Sequence, residues 1–163
     1  MPKSKRPTLG PCGEFYVASY FAGMGLTVEF TKPGTKLIDM HVGLKNRKRR
    51  ISVQIKTGGT THNHKVYKSP DDTQFNHRIW HVGKKAYGYS NTSHWYAFVS
   101  AGDWPRRQTA LAPTIYLIPS QVVSRILDEN PKNQREWFWI YDNKIGKYGG
   151  RAGFASFKRA LIS

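Results

Sequence analysis

Apolar and aromatic residues recur at helical spacing from Gly10 to Met24, with Val17, Ala18 and Phe21 flanked by Phe15, Tyr16 and Tyr20. Pro11 fits the first turn of that helix and Gly25 its stop. The spacing then shortens to period two, predicting strands at Leu26–Phe30, Leu37–Val42 and Arg50–Lys56. Gly58–Ser93 is rich in Gly, His, Asn and Tyr and reads as a long loop, with a short helix near Ile79–Tyr87. Strands return at His94–Ser100 and Thr114–Ile118, followed by a short helix over Ser120–Leu127 capped by Ser120. An aromatic strand over Glu136–Tyr141 and a short helix over Phe154–Leu161 close the chain. No repeat or linker interrupts it. The expectation is a basic arm at 1–9 and one α/β domain over 10–163, with a mixed sheet flanked by helices.

Alternation assigns faces. In the second strand Ile38, Met40, Val42 and Leu44 share one face, leaving Asp39 and His41 on the other. In the third, Ile51, Val53 and Ile55 oppose Ser52, Gln54 and Lys56. Pairing the two strands as a hairpin about the polar turn Leu44–Arg50 brings Asp39 level with Gln54 and Ile55. Asp39, Gln54 and Lys56 then project into one neighbourhood. Glu14 precedes Val17, Ala18 and Phe21 on the apolar face of the first helix, so a helix packed on this sheet aims it toward the same place.

Charge sharpens the picture. The 163 residues carry 26 Lys and Arg against 10 Asp and Glu, a formal net charge of +16. That excess calls for a polyanionic partner, nucleic acid or an anionic membrane surface. With 39% hydrophobic and 13% aromatic residues the chain is too apolar for a disordered tail. It holds no stretch long enough to span a bilayer and no secretory signal. The one cysteine, Cys12, excludes a disulfide framework or a four-cysteine zinc site and suits a reducing, cytoplasmic setting.

Acids on a polyanion-binding protein repel its ligand, so one lying inside an apolar pattern asks for a reason. Glu14 and Asp39 lie that way. Asp39 offers a carboxylate oxygen to a hard divalent cation, and Gln54 an amide oxygen. The Ile55 carbonyl and Glu14, directly or through water, complete the set. Lys56 would stand beside a water there, helping to orient or deprotonate it and to offset charge on a phosphate. Singly, each residue has a plain structural reading: a helix N-terminal acid favoured by the macrodipole, a strand end, an exposed strand face. Order, spacing and shared face together favour the chemical one.

Glu14 in a first helix, then Asp39, then Gln54-Ile55-Lys56 within RISVQIKTGG, resembles the PD-(D/E)XK nuclease superfamily, which includes restriction endonucleases and archaeal Holliday-junction resolvases. The resemblance covers residues 10–57, and YAFVS and IYLIPSQVV look like later strands of small members. It implies an α-β-β-β-α-β core and magnesium-dependent phosphodiester hydrolysis, with manganese as a substitute. The catalytic residues would be Glu14, Asp39, Gln54 and Lys56, and the metal ligands Asp39, Gln54, Glu14 and the Ile55 carbonyl. Asp39 matches the motif's first acid, Lys56 its lysine, and Glu14 the acid some members carry on the first helix. Ile38 replaces the proline. Gln54 stands where the family usually has Asp or Glu, which removes one negative ligand.

Two basic regions suit a duplex or branched DNA partner. One is the hairpin tip with Lys45, Arg47, Lys48, Arg49 and Arg50, on the order of 15 Å from Asp39 at 3.3 Å per residue. The other is the 58–89 segment with Lys65, Lys68, Arg78, Lys84 and Lys85. Each equally reads as a solvated turn or surface loop. His62 and His64 lack the spacing of a zinc site. Tyr87 and Tyr89 read as exposed, and Trp95, Trp137 and Trp139 as core or interface. Cutting both strands needs two sites related by a two-fold axis, so a homodimer is expected, with the Trp137–Trp139 region offering the surface. A nuclease-fold protein without chemistry that binds nucleic acid, or a basic RNA-binding protein, are the alternative functions. A DNA enzyme of this kind would be associated with the nucleoid in a bacterium or archaeon.

Overall fold

A computed structural model describes residues 9–35, 37–58, 67–68, 74–75, 77–101, 112–130, 132 and 135–163, with the backbone alone at 67–68, 74–75, 77–78 and 141–143. Helix α1 (Leu9–Gly23) leads into β1 (Thr27–Phe30), β2 (Met40–Gly43) and β3 (Arg50–Gly58). Short strands β4 (Tyr67–Lys68), β5 (Gln74–Phe75) and β6 (His77–His81) precede a 3-10 turn at Lys84–Ala86. Strands β7 (His94–Ser100) and β8 (Thr114–Pro119) follow, then α2 (Ser120–Glu129), β9 (Trp137–Tyr141), α3 (Asp142–Ile145) and α4 (Gly150–Ile162). The main sheet runs β1-β2-β3-β7-β8, with β3 and β7 parallel and the other neighbours antiparallel. This is the α/β mixed sheet with flanking helices that the pattern predicts.

Both faces of β3 and β7 are covered, which is why β7 reads as an unbroken apolar run rather than an alternating one. On one side Trp95, Ala97 and Val99 join Ile51, Val53 and Ile55 beneath α1 and α4. Phe21 of α1 stacks on Phe157 of α4 with ring centroids 4.9 Å apart. On the other side Tyr96 and Phe98 meet Val123 and Leu127 of α2 together with Trp80 and Phe138. Phe98 stacks on Phe138 at 4.5 Å.

Several elements differ from the expectation. Ile79–Tyr87 holds the end of β6 and a 3-10 turn instead of a short helix; β6 pairs with β9 in a ribbon apart from the main sheet. The alternating Ile79, Trp80 and His81 fit a strand once β9 supplies a partner, which single-sequence periodicity could not show. Among the described residues the helical piece between β3 and β7 is the 3-10 turn at Lys84–Ala86, and residues 59–66, 69–73 and 76 of the segment expected to hold the second helix of the α-β-β-β-α-β order lie outside the described residues. The second strand begins at Met40 rather than Leu37, because Leu37 takes φ +65° and the chain turns there. Ser120 does not cap α2 through its side chain: Pro119 holds the N-cap position, and Ser120 Oγ accepts from Asn91 N–H and donates to Asn91 C=O. The last helix runs the full Gly150–Ile162. Gly25, at φ +79°, ends α1 as its position predicts. The arm residues 1–8 lie outside the described set, and Leu9 already belongs to α1.

His94 opens β7, fully buried, with Nδ1 2.8 Å from Ser52 Oγ and its other ring nitrogen without a partner. Burial pushes its pKa from 6.5 down to about 4. The folded protein therefore holds His94 neutral, and the unfolded chain takes up the proton first. Stability due to this group is complete above pH 6.5 and is lost as pH falls toward 4, a loss of about 3 kcal/mol. Urea unfolding at intervals across that range should show the decline in wild type and a flatter profile in His94→Asn. Equal slopes would place the acid sensitivity elsewhere.

Candidate metal and phosphodiester site

Strand β3 is nine residues long, but β2 pairs only with Arg50–Val53. Beyond that pairing Asp39 makes the last contacts. Its N–H donates to Val53 C=O at 2.9 Å, and its own C=O accepts from Thr31 N–H at 3.0 Å. The chain then peels away through Ile38 and Leu37, held by Thr31 Oγ1 donating to Ile38 C=O at 2.7 Å. This leaves a notch beside the C-terminal half of β3. The Ile55 N–H, which a longer β2 would have paired, donates to Asp39 Oδ2 at 2.6 Å. N–H and C=O of one strand residue point the same way, so the Ile55 carbonyl faces the notch as well.

Electrostatics ties the remaining residues to Asp39. Desolvation raises the pKa of Asp39, while the Ile55 N–H and the Lys56 ammonium pull it back down. Burial raises Glu14, and the Asp39 carboxylate beside it raises it further. Two half-buried acids therefore stand close enough to feel one another, with one lysine against them. Like charges in a partly desolvated notch are an arrangement that a cation relieves.

Gln54 lies opposite Ile55 as the hairpin faces assign it, but α1 covers the Ile55 face, so Glu14 and Gln54 belong to opposite layers. Helix α1 lies on the Val53–Ile55–Thr57 side of β3, and Glu14 reaches the notch from there. Gln54 belongs to the opposite layer, level with Tyr96 of β7, and is only 7% exposed. Its Oε1 is buried without a hydrogen-bond partner, as is the Tyr96 hydroxyl. An acceptor left so costs about 1–3 kcal/mol. It is thus an acceptor open to that hydroxyl, which lies level with it, or to a cation. The notch itself offers Asp39 and the Ile55 carbonyl with Glu14 beyond, and Gln54 Oε1 lies in the layer behind; all are hard oxygens of the kind that suit magnesium, which keeps several waters and needs few carboxylates. Among the described residues no three of His, Cys, Asp and Glu converge, so the notch brings two carboxylates together with neutral oxygens.

Sequence reasoning passed over Gly13 and Thr57, which set how near Glu14 can come. A Cβ on Gly13 would lie 1.8 Å from Thr57 Oγ1 and 3.0 Å from Thr57 Cβ. A glycine on the buried Gly13, Val17, Phe21 stripe of α1 is the signal that could have revealed this close approach. Gly13→Ala is expected to push α1 off β3 and destabilise by about 1–3 kcal/mol, despite alanine's better helix propensity. Adding Thr57→Ala should recover most of the loss in thermal unfolding. A stable single variant would show that the contact is soft.

Of the basic residues, Lys45, Lys48 and Arg49 are exposed on the hairpin tip. Arg47 reaches Ile162 C=O at 3.5 Å, and Arg50 bonds Thr27 Oγ1, so these two also brace the hairpin. Lys84 and Lys85 are exposed in the 3-10 turn. Lys65, His62, His64 and the side chains of Lys68 and Arg78 lie outside the described residues. Trp95 is core, Trp137 is 45% exposed, and Trp139 is half-buried. Among the described residues no helix is long and apolar enough to cross a membrane. Comparison with family models, with curated proteins and with solved structures found no match.

Proposed function

We propose that this protein is a metal-dependent DNA endonuclease that hydrolyses phosphodiester bonds at the β2–β3 notch. The observation that carries the reading is Asp39 at the point where β2 leaves β3, bonded to Ile55 N–H and facing Glu14 and Lys56. Magnesium, or manganese in its place, would be held by Asp39, Gln54 Oε1 and the Ile55 carbonyl, with Glu14 reaching it directly or through water. The ion supplies Lewis-acid charge at a phosphoryl oxygen. The Lys56 ammonium would orient the attacking water, whose proton passes to solvent as the new phosphorus–oxygen bond forms, and would offset charge on the phosphorus oxygens while the bond to the departing strand oxygen breaks. The net charge of +16 holds the DNA, through the hairpin tip and the Lys84–Lys85 turn. Such a substrate belongs to a nucleoid-bearing, reducing compartment, and a two-fold dimer would let one assembly cut both strands.

Gln54 favours one second reading, a nucleic-acid-binding module without chemistry. It is neutral where an acid would strengthen the ion's hold, and its oxygen can instead meet Tyr96. Incubating supercoiled plasmid and a branched junction with the protein in magnesium, manganese or EDTA separates the two. Metal-dependent nicking or junction cleavage supports the enzyme. Tight binding without cleavage in either metal supports the module and overturns the enzyme.

A further inference from the structure

Away from the notch, two turns enclose a cleft of about 420 Å³ lined by Lys84, Tyr87, Lys132, Arg135 and Glu136. The walls are tied together, since Glu136 C=O accepts from Val82 N–H at 2.9 Å and from Gly83 N–H at 3.3 Å. Asn130 Nδ2 adds a bond to Trp137 C=O at 3.1 Å. Within the cleft Arg135 is fixed from several directions. Its guanidinium lies 4.4 Å from the centre of the Tyr87 ring, and Nη1 donates to Tyr87 Oη at 2.7 Å. Nη2 stands 3.8 Å from Asp128 Oδ1, to which the Tyr87 hydroxyl also donates at 3.2 Å. Tyr87 is nevertheless 40% exposed.

The pieces match one ligand chemistry. Arg135 already covers one face of the Tyr87 ring and holds it rigid, so a nucleobase would stack on the ring's other face. Asp128 stands against Arg135, and the Glu136 carboxylate is turned to His81 Nε2 at 3.6 Å, so the cations left to meet phosphate are Lys84 and Lys132 on the rim, both exposed. A cleft of this size suits a small planar group rather than a duplex, whose bases present no free face.

We propose that this cleft takes one unpaired nucleotide of a DNA strand, its base against Tyr87 and its phosphate between Lys84 and Lys132. This rests on the DNA reading above and narrows the substrate class to DNA with an unpaired segment: a flap, a fork or a branch point. The test is equilibrium binding in EDTA, where no cutting occurs, of a fluorescent single strand, a blunt duplex and the same duplex with an unpaired flap. Wild type should prefer the flapped duplex over the blunt one. Tyr87→Leu should weaken single-strand and flap binding by about tenfold, the worth of one stacked base, while blunt binding stays within about twofold. Tyr87→Phe keeps the ring and should keep the preference. Should Tyr87→Leu fold poorly, Lys132→Ala, on the rim and outside the turn that holds the duplex, should erode the same preference.

Equal losses on blunt and flapped DNA, or an unchanged preference in both variants, overturn the cleft assignment and leave the endonuclease reading standing. Displacement of the strand by micromolar free nucleoside monophosphate would assign the cleft to a free nucleotide and overturn the strand reading. Absence of binding to every DNA form overturns both.

Discussion

Affinity for DNA is expected to fall by about 10³–10⁵-fold between 50 and 200 mM salt, if the protein neutralises about six to ten phosphates. The expectation follows from 26 basic residues against 10 acidic ones, with Lys45, Lys48 and Arg49 exposed on one hairpin. Each phosphate contact releases condensed counterions, so the slope of log affinity against log salt counts the contacts. Replacing Lys45, Lys48 and Arg49 together by alanine should lower that slope by about three units if all three reach phosphate. A nearly flat titration would contradict the polyanion reading, and an unchanged slope in the triple variant would move the contact surface off the hairpin.

Lys56→Ala is expected to cut turnover by about 10²–10³-fold, the usual result of removing a preorganised charge from a developing oxyanion. Its effect on binding should be small, about one phosphate contact's share of the salt slope. The asymmetry follows from its place: Lys56 stands beside Asp39 at the notch, where its charge already acts on that carboxylate. Gln54→Glu is the informative companion. In an active enzyme with a thinly charged site, the added carboxylate should lower the magnesium concentration needed for half-maximal cleavage. In a module without chemistry, it could create cleavage where none existed. A Lys56→Ala protein with wild-type turnover would remove Lys56 from the site.

Local patterns along the sequence were enough to place β1, β3, β7, β8 and α1, because their hydrophobic period and their glycine and proline stops are local signals. They were also enough to bring Asp39 level with Ile55, a consequence of hairpin register about Leu44–Arg50. What escaped depends on partners distant in the chain. The β6 strand owes its existence to β9, some sixty residues later. The face of Gln54 was read correctly relative to Ile55, but alternation within a hairpin cannot tell which face α1 will cover. The structure puts α1 on the Ile55 side, so Glu14 and Gln54 lie in opposite layers of the sheet. The Tyr87–Arg135 cleft was invisible for the same reason: its two turns are separated by nearly fifty residues and meet only through tertiary contacts.

If Asp39 holds the metal for phosphodiester hydrolysis, its removal should abolish cleavage and spare binding. Wild type and Asp39→Ala, each at a concentration that saturates the same plasmid DNA, are incubated with magnesium and the cut product is measured. Removing a carboxylate beside phosphate should leave affinity unchanged or slightly higher. Wild type is predicted to cut in magnesium and not in EDTA, and Asp39→Ala to bind the DNA fully and leave it intact. Cleavage by Asp39→Ala at the wild-type, metal-dependent rate would show that Asp39 does not hold the metal.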